Sequence, residues 1–151
     1  MTHITGFFHG GITVKDMDTA LAFYRDGLQL EVAFDVINGA DYLRNVLALP
    51  FSEIRIVYLK IPNSGFVELL EYRGLERQPA ASRPSDYGAG HLCLYVDDID
   101  ALVARMHGLG YKTRSSAAID IVAGPNIGAK VVYLIDPDGY HVELFQKPNK
   151  S

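Results

Sequence analysis

Two stretches of this 151-residue chain say nearly the same thing. Arg55-Ile-Val-Tyr-Leu-Lys-Ile-Pro-Asn63, leading to Val67-Glu68-Leu69, matches Lys130-Val-Val-Tyr-Leu-Ile-Asp-Pro-Asp138, leading to Val142-Glu143-Leu144, at a constant offset of 75 residues (55 to 130, 68 to 143). An earlier pair keeps an offset of 82 (9 to 91, 16 to 98): His9 begins a stretch running through Val14 into Asp16-Met17-Asp18, and His91 one running through Val96 into Asp98-Ile99-Asp100. Such a chain is constrained to fold as two copies of one module, each with a histidine near its start and a glutamate near its end.

Hydrophobic periodicity gives the module its order. Gly6 to Val14 reads as a strand, and Asp16 or Asp18 caps a helix through Ala20, Leu21, Phe23, Tyr24 and Leu28 that ends near Gly27. A strand follows over Leu30 to Val36, then a short helix at Asp41 to Leu49 stopped by Pro50. Glu53 to Ile61 and Phe66 to Tyr72 form a hairpin around Pro62-Asn63-Ser64-Gly65. The second copy repeats this as a strand over Gly90 to Val96, a helix over Ile99 to Leu109 ended at Gly110, and strands over Tyr111 to Ser115, Val131 to Ile135 and Tyr140 to Gln146. Asp136-Pro-Asp-Gly139 is the second hairpin turn, and Ser116 to Ala129 reads as a loop over a site. The expected architecture is α+β, with two tandem βαβββ modules at about 5–73 and 90–147 and a Pro- and Arg-containing linker at about 74–89, all in one domain.

Composition narrows the function. A net charge of −4, with no run of lysine or arginine, lacks the footprint of a nucleic-acid binder. No apolar run approaches the roughly 18 residues of a membrane span. The single cysteine, Cys93, has no internal disulfide partner, and the start Met-Thr-His-Ile-Thr-Gly lacks a signal-peptide pattern, so a reducing, cytoplasmic compartment is expected. Cys93 lies within His91-Leu-Cys-Leu-Tyr-Val96 and reads as a small core residue rather than a nucleophile.

Strand alternation puts Phe66, Glu68, Leu70 and Tyr72 on one face, and His141, Glu143 and Phe145 on one face of the last strand. A carboxylate among apolar strand residues needs a partner, and a metal ion is one candidate. Two histidines and two glutamates at repeat-related positions would converge if the modules pack about an approximate twofold axis, and such a set suits Ni²⁺, Co²⁺, Zn²⁺, Mn²⁺ or Fe²⁺. Taken singly, each is as readily a hydrogen-bonded strand residue, and a duplicated structural feature would leave the same pattern.

These residues resemble the vicinal oxygen chelate superfamily, which includes glyoxalase I, methylmalonyl-CoA epimerase, extradiol dioxygenases and antibiotic-resistance proteins. The resemblance spans nearly the whole chain and rests on His9 before Val14-Lys-Asp-Met-Asp-Thr-Ala-Leu-Ala-Phe-Tyr24, on Val67-Glu-Leu-Leu-Glu-Tyr72, on Gly90-His-Leu-Cys-Leu-Tyr-Val-Asp-Asp98 and on Asp136-Pro-Asp-Gly-Tyr-His-Val-Glu-Leu-Phe145. It implies paired modules forming a cupped mixed sheet around a metal-lined cleft, a homodimer, and one divalent ion held at the positions of His9, Glu68, His91 and Glu143.

Four protein ligands on an octahedral ion leave two positions, suited to chelating a substrate enolate or enediolate formed by proton transfer beside a carbonyl. This favours an isomerase or lyase of glyoxalase or epimerase type acting on a small oxygen-chelating molecule. An extradiol Fe(II) dioxygenase is the alternative. It resembles a two-histidine, one-carboxylate set, which Glu68 would exceed. A drug-sequestering protein ranks third because such members lack the ligands. By the same resemblance Glu143 is the first candidate base and Glu68 the second. His141 stands two residues from Glu143 and is a candidate relay or pocket residue, or else a polar residue on the less buried face. Tyr72 is a candidate pocket residue or a core tyrosine. Glutathione-dependent glyoxalases carry an arginine four residues after the first histidine and an asparagine four after the first glutamate. Thr13 and Tyr72 stand there in this chain, which shifts the expected substrate toward a 2-oxo compound or thioester. Asp41 and Glu71 are guesses for a second acid. Arg77 and Arg83 read as solvated linker cations, with contact to a coenzyme A phosphate as the other reading.

Overall fold

Each of the two hairpins carries the turn its sequence demands, and the rest of each sheet is built around it. The computed structural model describes residues 3–80 and 83–148, so Ala81 and Ser82 of the linker lie outside the described residues. The chain falls into two compact units, Met1–Gln78 and Pro79–Ser151.

In the first unit the strands are β1 (His9–Thr13), β2 (Glu31–Asn38), β3 (Glu53–Lys60) and β4 (Phe66–Arg73). β3 and β4 pair antiparallel, Tyr58 opposite Glu68, through a turn in which Asn63 takes a left-handed φ of 56°. Gly65 follows because a Cβ there would lie 2.2 Å from the Phe8 carbonyl oxygen. β1 joins β4 in parallel, with Gly11 opposite Glu68, and β2 flanks β3, giving the order β1-β4-β3-β2.

Helix α1 (Met17–Leu21) starts where Asp16 accepts from the Thr19 amide at 2.8 Å. Instead of the expected regular helix, it continues as a π-helical segment over Ala22–Gly27, closed by the Leu28 amide donating to Phe23 O at 2.8 Å. The wider turn goes with full burial of the adjacent Phe23 and Tyr24 rings. A short α2 (Asp41–Leu47) ends in a left-handed Ala48 ahead of Pro50.

The second unit repeats the plan with β5 (His91–Tyr95), α3 (Ile99–Gly108), β6 (Lys112–Thr113), β7 (Ile119–Asp120), β8 (Lys130–Ile135) and β9 (His141–Gln146). Its order, β5-β9-β8-β6, matches the first sheet strand for strand, with β7 paired to β8 beside it. Asp98 caps α3 through the Ala101 amide, and Asp136 takes the Asp138 and Tyr140 amides to close the β8–β9 turn around Gly139. The strand expected over Tyr111 to Ser115 shrinks to two residues. The Thr113 hydroxyl donates to Ser115 O and the Ser115 hydroxyl to Ala117 O, local bonds that compete with the ladder. The expected loop Ser116 to Ala129 contains the short β7.

α1 packs on β4, and α3 on β6 and β9. Val67 and Leu69 of β4, and Val142 and Leu144 of β9, are fully buried, whereas Glu68 and Glu143 between them project from the opposite face and stay partly accessible. That division commits each glutamate to the face its unit's helix does not cover. Among the described residues no helix is long and apolar enough to cross a membrane.

Leu69 and Leu144, related by the repeat and both without exposed surface, are keystones of their units. Truncating either to alanine is expected to cost about 2–5 kcal/mol of stability, read as a lowered midpoint in urea denaturation with little change in slope.

Candidate metal centre

Parallel pairing of the first and last strands sets a histidine beside a glutamate in each unit. Glu68 is paired with Gly11, two residues beyond His9, so His9 and Glu68 share a sheet face and the His9 Nε2–Glu68 Oε2 distance is 3.1 Å. Glu143 is paired with Cys93, two residues beyond His91, and His91 Nε2–Glu143 Oε2 is 3.0 Å. The carboxylates are well shielded, with 14% and 16% of their side-chain surface exposed. Thus the structure brings His9 to Glu68 and His91 to Glu143. Among the described residues no group of three or more His, Cys, Asp or Glu side chains is arranged to hold a metal ion.

Two tyrosines complete these pairs. Tyr58, opposite Glu68 on β3, donates its hydroxyl to Glu68 Oε1 at 2.7 Å, and its oxygen lies 3.3 Å from His9 Nδ1. Tyr133, opposite Glu143 on β8, donates to Glu143 Oε2 at 3.2 Å and lies 3.4 Å from His91 Nε2. Neither appears among the candidates drawn from the sequence. The signal was present nonetheless, because both fall inside the duplicated stretch at the same offset of 75 as the glutamates (58 to 133, 68 to 143).

The donor set suits a cation. Tyr58 has one proton, committed to Glu68, so its contact with His9 requires Nδ1 to donate. A neutral His9 then turns an Nε2 lone pair toward a carboxylate oxygen, an arrangement that needs either a proton or a metal ion between the two. Neighbouring ligands at right angles on one divalent ion, each bonded at about 2.1 Å, stand about 3 Å apart, which is the separation found in both units. Imidazole nitrogen with carboxylate oxygen is a donor set for Zn²⁺, Ni²⁺, Co²⁺, Mn²⁺ or Fe²⁺.

The surroundings of the pairs differ. Around His9 they are aromatic: Phe8 lies edge-on to the imidazole at 4.7 Å, Phe34 stacks on Tyr58 at 4.5 Å, and Phe66 contacts Tyr58 at 5.7 Å. Around His91 they are polar. His141, directly opposite His91 on β9, is 6% exposed and accepts a bond from Arg114 Nη1 at 3.3 Å. It is itself buried, on the strand face it shares with Glu143. Burial first, and the Arg114 charge second, hold its pKa below the ordinary histidine value. Cys93 corrects its assignment to the core: β5 alternation turns it outward with His91 and Tyr95. Although the residue is exposed as a whole, desolvation of the thiol and the neighbouring Glu143 carboxylate push its pKa to about 11, so it remains a thiol at neutral pH.

The other candidates occupy structural positions. Tyr72 is 8% exposed and packs edge-on against Phe51 at 5.3 Å beside Ile54, although burial and then the Glu68 charge raise its pKa. Glu71 accepts the Met17 amide at 2.8 Å and Arg73 Nε at 2.9 Å. Asp41 pairs with Arg44, Arg83 with Asp86, and Arg77 donates to the Val14 and Lys15 carbonyls.

A family model described as the Glyoxalase/Bleomycin resistance protein/Dioxygenase superfamily matches residues 2–144. The chain belongs to that superfamily. Similar curated proteins include a 2-epi-5-epi-valiolone epimerase from Actinomyces, 28% identical over 93% of this chain and 78% of the relative, and a probable lactoylglutathione lyase from Synechocystis, 28% identical over 95% and 96%. Among solved structures, a glyoxalase family protein from Bacillus cereus superposes with a TM-score of 0.81 at 18% identity, covering 98% of this chain and 97% of that one. This last likeness establishes the glyoxalase fold for the chain, in agreement with the α+β modules expected from the repeat.

Burial, then the hydrogen bond and charge of Glu68, push the Tyr58 pKa to about 12. A pKa raised above the unfolded value of about 10 means that the folded state holds this proton more tightly. Its contribution is intact below pH about 10 and is lost as pH rises toward about 12. Absorbance titration of chelator-treated protein is expected to show a late tyrosinate step that disappears in Y58F and moves to lower pH in E68Q.

Proposed function

We propose that this superfamily member is a divalent-metal-dependent isomerase or lyase of glyoxalase or epimerase type, with His9, Glu68, His91 and Glu143 as the ligands. The observation that carries the reading is the pair of repeat-related His–Glu contacts at 3.1 and 3.0 Å, each presenting an imidazole nitrogen to a shielded carboxylate oxygen. An ion held there supplies a Lewis acid beside the substrate's carbonyl oxygen, easing the negative charge that develops when a proton leaves the adjacent carbon.

In this reading Glu143 takes that proton. Tyr133 and His91 both contact its Oε2, and the Cys93 thiol is a further hydrogen-bond partner of the carboxylate. Glu68 is engaged on both oxygens, Oε1 by Tyr58 and Oε2 by His9, which suits a fixed ligand and makes it the second candidate for proton transfer. Tyr58 and Tyr133 hold the carboxylates in register with the imidazoles. Phe8 packs on the His9 imidazole, and Phe34 and Phe66 pack on Tyr58. Protonation of the same carbon on its opposite face gives epimerisation, and protonation of the neighbouring carbon gives isomerisation. The epimerase named among the relatives supports the first outcome. The working assembly in this reading is a cytoplasmic homodimer acting on a small oxygen-chelating molecule.

Protein purified without chelator is expected to carry about one divalent ion per chain by elemental analysis, and to gain thermal stability when a stripped sample is given Ni²⁺, Co²⁺, Zn²⁺, Mn²⁺ or Fe²⁺. No metal and no gain would sink the reading.

With metal bound, solvent deuterium is expected to enter the carbon beside the carbonyl of 2-oxo compounds or acyl thioesters. E143Q should slow this about 10²- to 10⁴-fold, and E68A should abolish it. Oxygen uptake with catechols under Fe²⁺, retained in E68A, would point to ring cleavage instead.

A further inference from the structure

The second unit contains an open cavity of about 360 Å³ bounded by Pro84, Arg114, Ile119, Val131 and Tyr133. That size is within the range of small-molecule sites, and its walls are of the usual kind, apolar with few polar groups. Two features give it chemistry. Tyr133 lines it and also donates to Glu143 Oε2 at 3.2 Å, so the cavity abuts the His91–Glu143 pair. Arg114 supplies its positive charge.

Arg114 differs from six of the protein's other arginines. Arg25, Arg44, Arg55, Arg73 and Arg83 each pair with a carboxylate, and Arg77 donates to two carbonyls. Among the described residues the Arg114 guanidinium pairs with no carboxylate, and its hydrogen-bond partner is the imidazole Nε2 of His141 at 3.3 Å. A guanidinium has five N–H donors in a planar fork suited to bidentate pairing with an oxyanion. Here it stands at the wall of an apolar cavity with most of that capacity free of acceptors among the described residues.

We propose that this cavity is an oxyanion subsite, in which Arg114 pairs with a carboxylate or phosphate carried by a small molecule whose apolar body lies against Ile119 and Val131. That the occupant is the substrate rests on reading the His91–Glu143 pair as part of the reaction centre; the binding itself does not. Tyr133 would then stand between the two ends of the ligand, with the anion at Arg114 and the reacting carbon toward Glu143. The substrate class becomes an organic acid or phosphate ester, which a neutral sugar or ketone of the same size would not replace.

The test uses the full chain, stripped of metal by chelator, at constant ionic strength. Phenylacetate, phenyl phosphate and benzyl alcohol are titrated calorimetrically into the native protein, R114Q and R114K. At least one of the two anions is expected to bind the native protein ten times or more tightly than benzyl alcohol. R114Q should erase that preference while leaving the weak benzyl alcohol binding unchanged, and R114K should retain part of it. Preference for phenylacetate assigns a carboxylate, and preference for phenyl phosphate a phosphate ester.

Equal binding of the anions to native protein and to folded R114Q overturns the proposal, as does the absence of any anion preference in the native protein. Unfolding midpoints of the variants exclude a folding defect. Metal uptake, measured separately on the same preparations, keeps the outcomes apart. An anion preference that depends on Arg114 in a protein taking up no metal preserves the subsite and removes the isomerase reading, and the converse result does the opposite.

Discussion

Each His–Glu pair depends on the parallel pairing of its unit's first and last strands. A parallel ladder lets a residue near the start of one strand share a face with a residue far downstream in sequence. Through it His9 reaches Glu68 across 59 positions and His91 reaches Glu143 across 52 (9 to 68, 91 to 143). Shielding each carboxylate on the sheet raises the cost of leaving it unpaired, and the cost is met by partners the same ladders deliver: a histidine from the parallel neighbour and a tyrosine from the antiparallel one. One helix on the opposite face absorbs the apolar residues that alternate with the glutamate, so the core and the His–Glu pair occupy opposite sides of the same strands.

The two copies differ around their His–Glu pairs. Beside Glu68 stands Gly11, where a Cβ would come 3.2 Å from the carboxylate; at the equivalent place beside Glu143 stands Cys93, whose thiol is held protonated. One pair is framed by phenylalanines and the other by His141 and Arg114.

Much of this was legible in the residues. The Asp-Gly turn at 138–139, the caps at Asp16 and Asp98, and alternation in Phe66–Arg73 and His141–Gln146 each express a local rule. Local rules failed where tertiary burial overrode them. The π-helical turn at Ala22–Gly27 goes with burying two adjacent aromatic rings, and the strand after Tyr111 breaks where hydroxyls take over its hydrogen bonds. Cys93 was misplaced because an apolar run does not say which of its residues face outward.

From the sequence alone came the duplication, and with it the two histidines and two glutamates, since equal offsets need no coordinates to be seen. The tertiary structure decided which groups touch them. Strand register, set by many side chains packing at once, placed Tyr58 against Glu68, Tyr133 against Glu143, and His141 in contact with Arg114. Those cross-strand contacts join residues with no local relation in the chain, so periodicity cannot reveal them.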